Sequence, residues 1–103
     1  MDYLVKATPT RELLDLSAAD RDELMAAERD VATGLIAGGV ITWMWRLPDT
    51  QTSITIWNAE SAEALEAHLK ALPVFPYNTV EITALAPHPA FPTSLSDASR
   101  IER

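Results

Sequence analysis

The sequence contains no cysteine and only two histidines, and its eight Lys and Arg residues are outnumbered by fifteen Asp and Glu residues. Without cysteine the chain has neither a disulfide framework nor a thiolate nucleophile. His68 and His88 alone provide no zinc-type ligand spacing, so we expect no metal site. The net charge of −7 disfavours nucleic acid as a partner, because phosphate binding needs clustered positive charge and these basic residues are scattered.

The chain also has no long apolar run. No stretch of about 18 apolar residues predicts a membrane helix, and the N-terminus lacks the basic start and apolar run of a signal peptide. We therefore expect a cytoplasmic protein without a membrane partner. The Ser-His-Asp order, the Gly-rich phosphate loop and the dinucleotide fingerprint are also missing, so we expect no cofactor.

What the sequence does contain fits one domain, since 48% of its 103 residues are hydrophobic. The patterns predict strands at residues 3–7, 40–47, 52–57 and 79–85, a loop that contains Leu13, Leu14 and Leu16, and helices at residues 18–37 and from Ser61 onward. Ser17 and Ser61 are expected to cap these helices. The order β-α-β-β-α-β predicts a ferredoxin-like α+β fold, in which two helices cover one face of an antiparallel sheet.

The second predicted strand is apolar on both sides. Simple alternation places Val40, Thr42, Met44 and Arg46 on one face and Ile41, Trp43, Trp45 and Leu47 on the other. Helices can cover only one of these faces, so the other must meet a ligand or another subunit. We expect a homo-oligomer in which two sheets pack face to face.

The most distinctive segment runs from Leu72 to Tyr77 and reads Leu-Pro-Val-Phe-Pro-Tyr. Pro73 and Pro76 fix φ and remove two backbone donors, so we expect a stiff apolar connector that is neither helix nor central strand. With the strand and the His-Pro pair that follow it, this motif resembles the C-terminal half of the muconolactone Δ-isomerase family. Further similar residues, in the same order, are Glu28, Gly39, Trp45-Arg46 and the helix start at residues 61–65.

The resemblance extends to about Pro89, which divides the chain into a domain at residues 1–89 and a tail at residues 90–103. It implies a dimeric α/β barrel that can assemble further into a decamer. It also implies a cofactor-independent isomerase of aromatic catabolism, which shifts a double bond in muconolactone or a related small unsaturated lactone by proton transfer. Such a substrate is small and anionic.

Several positions depart from the family pattern. Many members have Trp, then Arg-His, before the shared Leu-Trp-Arg, and a His in the following hairpin, where this chain has Ile41, Thr42-Trp43 and Thr50. An alternative is therefore a relative that catalyses another proton transfer, cyclisation or elimination on a bulkier, polyketide-like substrate. A protein that only binds a ligand is also consistent with the sequence.

Glu28 is the first candidate for the acid/base group. On a helical wheel it falls about 40° from Leu24, inside the apolar stripe formed with Val31 and Leu35, so its carboxylate is aimed at the sheet. Burial would raise its pKa toward the range of a general base, and in the family a glutamate here is an acid/base group. The structural alternative is a Glu that reaches solvent or pairs with Arg21 or Arg46.

Arg46 and Lys6 are candidates for binding an anionic substrate, each on a strand expected to be central or next to central. Arg46 is the better candidate because its planar fork matches a carboxylate. The alternative is an ion pair of Arg46 with Glu28 or Glu81. Aromatic candidates for substrate contact, which are by default core or interface residues, are Tyr3, Trp43, Trp45, Phe75 and Tyr77.

His88 lies between two prolines after the last strand. His88 is either an ordinary surface histidine or a second proton-transfer group. The resemblance implies the second role, because the family shares this His-Pro pair and its tail packs across a neighbouring subunit. In the tail, Phe91, Leu95 and Ile101 are expected to dock on such a neighbour.

Overall fold

The computed structural model describes residues 1–91 of the chain as a four-stranded antiparallel sheet with helices on one face. The elements are β1 (Asp2–Pro9), α1 (Arg11–Leu14), α2 (Ala18–Ala37), β2 (Ile41–Arg46), β3 (Ser53–Asn58), α3 (Ala62–Lys70), a 3-10 turn (Phe75–Tyr77) and β4 (Asn78–Leu85). The sheet order β2-β3-β1-β4 is that of the ferredoxin-like fold, which confirms the predicted α+β class. Within residues 1–91, no helix combines the length and apolarity needed to cross a membrane.

The two long helices begin at the predicted serine caps. The Ser17 hydroxyl accepts a hydrogen bond from the Asp20 N–H at 3.1 Å, and the Ser61 hydroxyl accepts one from the Ala64 N–H at the same distance. Each bond satisfies an N–H that the first helical turn leaves unpaired. Helix α2 ends at Ala37 with Gly38 as its C-cap, and Gly39 then takes a φ of 76°, a left-handed conformation that suits glycine.

Two local predictions were wrong. The leucine-containing loop after β1 includes a short helix, α1, whose Leu13 is buried in the protein. The proline-containing connector, expected to have no helix, forms one 3-10 turn at Phe75–Tyr77. Pro76 fits this turn because it stands in the first helical positions, where a missing N–H costs no hydrogen bond.

Strands β1 and β3 are the two central strands, since β1 pairs with β3 and β4 and β3 pairs with β1 and β2. Strand β2 pairs only with β3 and is an edge. Lys6 therefore lies on a central strand and Arg46 on the strand next to the central β3, as expected, although that strand is also an edge of the sheet. The edge position leaves Arg46 exposed.

The hydrophobic core lies between the sheet and the helices. It is built from buried residues of β1, β2 and β3 and of helices α2 and α3, among them Tyr3, Val5, Ala32, Ile41, Trp57, Leu65 and Leu69. Polar groups inside it are paired, because the Trp57 indole N–H donates to the Thr55 hydroxyl at 2.7 Å and that hydroxyl donates to the Val5 carbonyl.

A β-bulge in β2 changes which residues share a face. Ile41 pairs with Trp57 and Trp43 pairs with Ile56, so Thr42 is an extra residue on β2. Ile41 therefore points into the core, and the predicted alternation, which placed it with Trp43 and Trp45, was wrong. Beyond the bulge, Met44 and Arg46 fall on the helix face of the sheet, as their pairing with β3 requires.

The sheet surface that no helix covers is called here the open face. By strand register, the residues at its middle include Leu4, Lys6, Trp43, Trp45, Ile54, Ile56, Glu81 and Thr83. Trp43 and Trp45 are 62% and 55% exposed, and their rings stack with centroids 5.3 Å apart and planes at 11°. This apolar surface agrees with the expectation that one face of the sheet meets another molecule.

The predicted docking of the tail falls largely beyond the described residues, which end at Phe91. Leu95 and Ile101 lie outside them. Phe91 is 46% exposed.

Candidate active site

Glu28 lies near the middle of α2 on the side that faces the rest of the protein. Leu24, Glu28, Val31 and Leu35 are half-buried, whereas the residues between Leu24 and Glu28 are exposed, so the predicted stripe is the one that packs. The Glu28 Oε1 atom accepts a hydrogen bond from the Val74 N–H at 3.2 Å. Helix α2 thus presents a carboxylate to the connector between α3 and β4.

Two effects act on the proton affinity of this carboxyl. Burial raises the pKa of Glu28 above its usual value, and the hydrogen bond from the Val74 N–H partly offsets that rise by stabilising the charged form. Within residues 1–91, Glu28 forms no ion pair. Arg21, one of its expected partners, instead donates to the carbonyls of Leu14 and Leu16. A carboxyl held in this way keeps its proton to higher pH than a solvated glutamate does, which is the direction a proton-transfer group needs.

The connector that contacts Glu28 is itself firmly held. Val74 is 6% exposed, and Phe75 packs against the core. The Phe75 N–H donates to the Leu72 carbonyl at 3.0 Å, and the Tyr77 N–H donates to the Val74 carbonyl at 2.9 Å. At its far end, the Tyr77 carbonyl accepts hydrogen bonds from Thr10. The Val74 donor is therefore fixed in place before any ligand binds.

Arg46 lines a cleft of about 510 Å³ at the end of the sheet where β2 stops. The other lining residues are Thr8, Pro9, Leu14, Asp49, Thr50, Gln51 and Thr52. In the described part of the chain the ion pairs are Lys6 with Glu81 and Lys70 with Glu66, so no carboxylate lies within ion-pair distance of Arg46. Its guanidinium is thus available to an anion that enters the cleft.

Lys6 and Arg46, the two candidate cations, do not meet. Lys6 lies on the open face, and its Nζ atom is 4.0 Å from Glu81 Oε2. Arg46 lies on the helix face, the side of the sheet that also carries Glu28. Of these two cations within a single chain, Arg46 is therefore the one on the same face of the sheet as Glu28.

The aromatic candidates divide in the same way. Tyr3 is 5% exposed in the core, and its hydroxyl donates to the Met1 Sδ atom at 3.4 Å. Phe75 and Tyr77 belong to the connector and are half-buried. Trp43 and Trp45 lie on the open face, away from Glu28.

His88 lies beyond the opposite end of the sheet from Arg46. Arg46 shares a row of the sheet with Ser53 and Ala7, whereas β4 ends at Leu85, opposite Asp2. The rows of Ala7 and Asp2 are about 17 Å apart along the strand at roughly 3.4 Å per residue. His88 is exposed, and its Nδ1 atom accepts a hydrogen bond from the Ala90 N–H at 3.0 Å. A single chain therefore does not bring His88 to Arg46.

Sequence reasoning missed the groups that hold the site together. The Val74 N–H leaves no trace in the sequence, because every residue except proline carries such a donor. Thr10, which holds the Tyr77 carbonyl, and Gln51, which lines the cleft, both lie in connecting segments, where polar residues are common and carry no specific signal. In the described residues 1–91 no group of three or more His, Cys, Asp or Glu side chains is placed to hold a metal ion.

The fold and the site together define a ferredoxin-like α+β domain with a half-buried carboxylate between its first long helix and a stiff connector. Residues 1–90 match the family model described as muconolactone delta-isomerase. The chain belongs to this family, which confirms the resemblance seen in the sequence.

Individual relatives agree with this result. A muconolactone Delta-isomerase of Rhodococcus opacus is 36% identical over 74 residues, which are 72% of this chain and 80% of the relative. One from Pseudomonas putida is 30% identical over 77 residues, 75% of this chain and 80% of the relative.

Solved structures show the same fold. A crystal structure of muconolactone isomerase superposes with a TM-score of 0.78 at 30% identity and covers 89% of this chain and 95% of that one. The 5-chloro-2-hydroxyhydroquinone dehydrochlorinase of Burkholderia phenoliruptrix AC1100 has a TM-score of 0.67 at 16% identity, covering 85% and 96% of the two chains, and shares the fold alone.

Proposed function

We propose that this protein is an intramolecular isomerase that shifts the ring double bond of muconolactone, or of a closely related unsaturated lactone. Family membership over residues 1–90 supports this substrate class. The two relatives and the solved structure that are at least 30% identical to this chain all carry the muconolactone isomerase name, so the alternative of a bulkier substrate or a purely ligand-binding protein is not favoured.

The observation that carries the mechanism is the environment of Glu28. Moving the double bond requires that a proton leave one carbon of the lactone and that a proton be added at another. A single carboxylate that lies over the ring can perform both steps, first as a base and then as an acid. Half-burial without an ion-pair partner among residues 1–91 supports this role, because it raises the pKa of Glu28 toward the pH at which it would work.

Arg46 is proposed to bind the carboxylate of the substrate. It lines the cleft at the end of β2, and its side chain is on the Glu28 side of the sheet. A guanidinium offers two parallel N–H donors to a carboxylate, which fixes both position and orientation. Substrate bound through its carboxylate at Arg46 would direct its ring toward the helix layer.

The connector is proposed to supply the apolar wall of the pocket. Phe75 and Tyr77 are half-buried in a segment that is tied to Glu28 through Val74. Apolar side chains beside a carboxylate exclude water, which strengthens its interaction with the substrate and protects the intermediate. Tyr3 is largely buried, so it would contribute to the pocket indirectly, by packing in the core beneath it.

The assembly forms part of the proposal. We propose that the open face packs against the open face of a second copy, giving a dimer that can build a larger oligomer such as a decamer. Trp43, Trp45 and Lys6 would then serve mainly at this interface, and His88 would reach a site only on a neighbouring subunit. A cytoplasmic location remains a prediction.

The direct test is incubation of the purified protein with muconolactone while the enol-lactone product is followed. We expect turnover without any added cofactor. If muconolactone is unchanged while a structurally related lactone is isomerised, the reaction class stands and the substrate is wrong. If neither lactone reacts, the proposal fails.

A further inference from the structure

Thr10 makes an unusual pair of hydrogen bonds. Its backbone N–H donates to the Tyr77 carbonyl at 2.9 Å, and its Oγ1 hydroxyl donates to the same oxygen at 2.8 Å. Thr10 stands at the N-cap position of α1, where a threonine hydroxyl commonly accepts from the first helical turn. Here the hydroxyl makes no such cap bond. The side chain is therefore committed to the connector and not to its own helix.

The segment that Thr10 holds behaves as one stiff unit. Tyr77 donates back to the Val74 carbonyl, Pro76 fixes the backbone between them, and the two ends of the 3-10 turn are thereby joined. A displacement of the Tyr77 carbonyl must therefore move Val74. The Val74 N–H is the donor to Glu28, so the chain of contacts runs from Thr10 through the turn to the carboxylate.

We propose that Thr10 is a positioning residue for the acid/base site, because its two hydrogen bonds to Tyr77 hold the Val74 N–H on the Glu28 carboxylate. Thr10 acts through the connector and touches no substrate. Its catalytic consequence rests on the proposed function, but the positioning itself is a property of the free protein.

Other charged groups do not provide this hold. On α2, Arg21 is occupied by the carbonyls of Leu14 and Leu16. The remaining charged residues of α2, namely Asp20, Asp22, Glu23, Arg29 and Asp30, are exposed. On the neighbouring strands, Lys6 pairs with Glu81, and neither Lys6 nor Arg46 forms an ion pair with Glu28 in the described residues. Among the described residues the Val74 N–H donates a hydrogen bond to Glu28, so its placement lowers the pKa of that carboxyl against the larger, opposite effect of burial.

The test compares Thr10→Val, which keeps the shape of the side chain and removes the hydroxyl, with Thr10→Ser, which restores it. Thr33→Val is a matched control, since the Thr33 hydroxyl also donates to a backbone carbonyl, that of Arg29, but on the exposed side of α2. The Glu28 carboxyl is titrated by carbon NMR in the full chain and assigned by its absence in Glu28→Gln. The Val74 amide proton is followed in the same titration.

We expect Thr10→Val to raise the pKa of Glu28 further and to weaken the response of the Val74 amide to its ionisation. Thr10→Ser and Thr33→Val should match the unmodified protein. For an active isomerase, kcat of Thr10→Val should fall about two- to tenfold with little change in KM, the effect of one weakened hydrogen bond.

An unchanged Glu28 titration and Val74 response in Thr10→Val would overturn the inference, even if the melting temperature fell. If Thr10→Val does not fold, Thr10→Ala is titrated in its place with the same two outcomes. If the unmodified protein does not isomerise muconolactone, the proposed function fails, while the NMR titration still decides the role of Thr10.

Discussion

The Glu28 carboxylate and the Val74 N–H meet at 3.2 Å although the two residues are 46 positions apart in the sequence. This bond joins the first long helix to the connector that follows the second. It places an ionisable group where burial and a single donor act on it in opposite directions, and burial is the larger effect.

The first prediction concerns stability against pH. Because the pKa of Glu28 is raised in the folded protein from a usual value of 4.5, the folded state binds this proton more tightly than the unfolded state. Its contribution to stability is thus fully present below the usual pKa and is lost as the pH rises through the folded pKa. Glu28→Gln should therefore be at least as stable as the unmodified protein at neutral pH.

Thermal melts at acidic and neutral pH check this prediction. The advantage of Glu28→Gln should shrink as the pH falls, because the unmodified carboxyl is then protonated and resembles the amide. Glu23→Gln is a suitable control, since Glu23 is exposed on the same helix. A glutamine variant that is clearly less stable at neutral pH would show that the charged form of Glu28 stabilises the fold.

The second prediction concerns Arg46. Replacing it with methionine removes the guanidinium and keeps an apolar stem, so KM should rise about 10- to 100-fold, the range expected for lost hydrogen bonds to a charged group, with a smaller change in kcat. Steady-state kinetics measure both values. Arg29→Met, an exposed change on α2, should leave them unaltered. An equal rise in KM in Arg46→Met and Arg29→Met would mean that Arg46 contributes only its positive charge and makes no specific bond to the substrate.

The third prediction concerns the open face. Trp43→Glu places a charge among Trp45, Ile54 and Ile56, so the proposed oligomer should dissociate toward the 11.3 kDa chain. Met44→Glu is the matched control because Met44 is the next residue, is also exposed, and lies on the other face. Sedimentation velocity at micromolar concentration separates the two results. Dissociation by Met44→Glu but not by Trp43→Glu would show that the interface lies elsewhere.

Much of the fold could be predicted from local signals in the sequence. Helix α2 runs from Ala18 to Ala37 as the Ser17 cap and the paired glycines predict, and α3 starts at Ala62 after Ser61. Such boundaries depend on side-chain to backbone bonds within one turn of helix, so the residues that make them are neighbours in the sequence. The direction of Glu28 was predictable for the same reason, since helical periodicity fixes it.

The remaining features depend on pairing between distant segments. The extra residue at Thr42 puts Ile41 on the helix face and not on the open face with Trp43. The alternation of polar and apolar residues along the strand does not predict this bulge. The separation of Lys6 from Arg46 likewise follows from strand register, because a shift by one residue exchanges the two faces. The Thr10 bonds to Tyr77 connect residues that are 67 positions apart, so they can be identified only in the folded structure.

The measurement that tests the central claim most directly is the turnover of muconolactone by Glu28→Gln beside the unmodified protein. Glutamine keeps the size of the side chain and can still accept from the Val74 N–H, but it cannot take up the substrate proton. We predict that kcat falls by about 10²-fold or more while folding and oligomer size are retained, the effect expected for a lost general base. Full activity in Glu28→Gln would contradict the account and reduce the Glu28 carboxylate to a structural anchor of the connector.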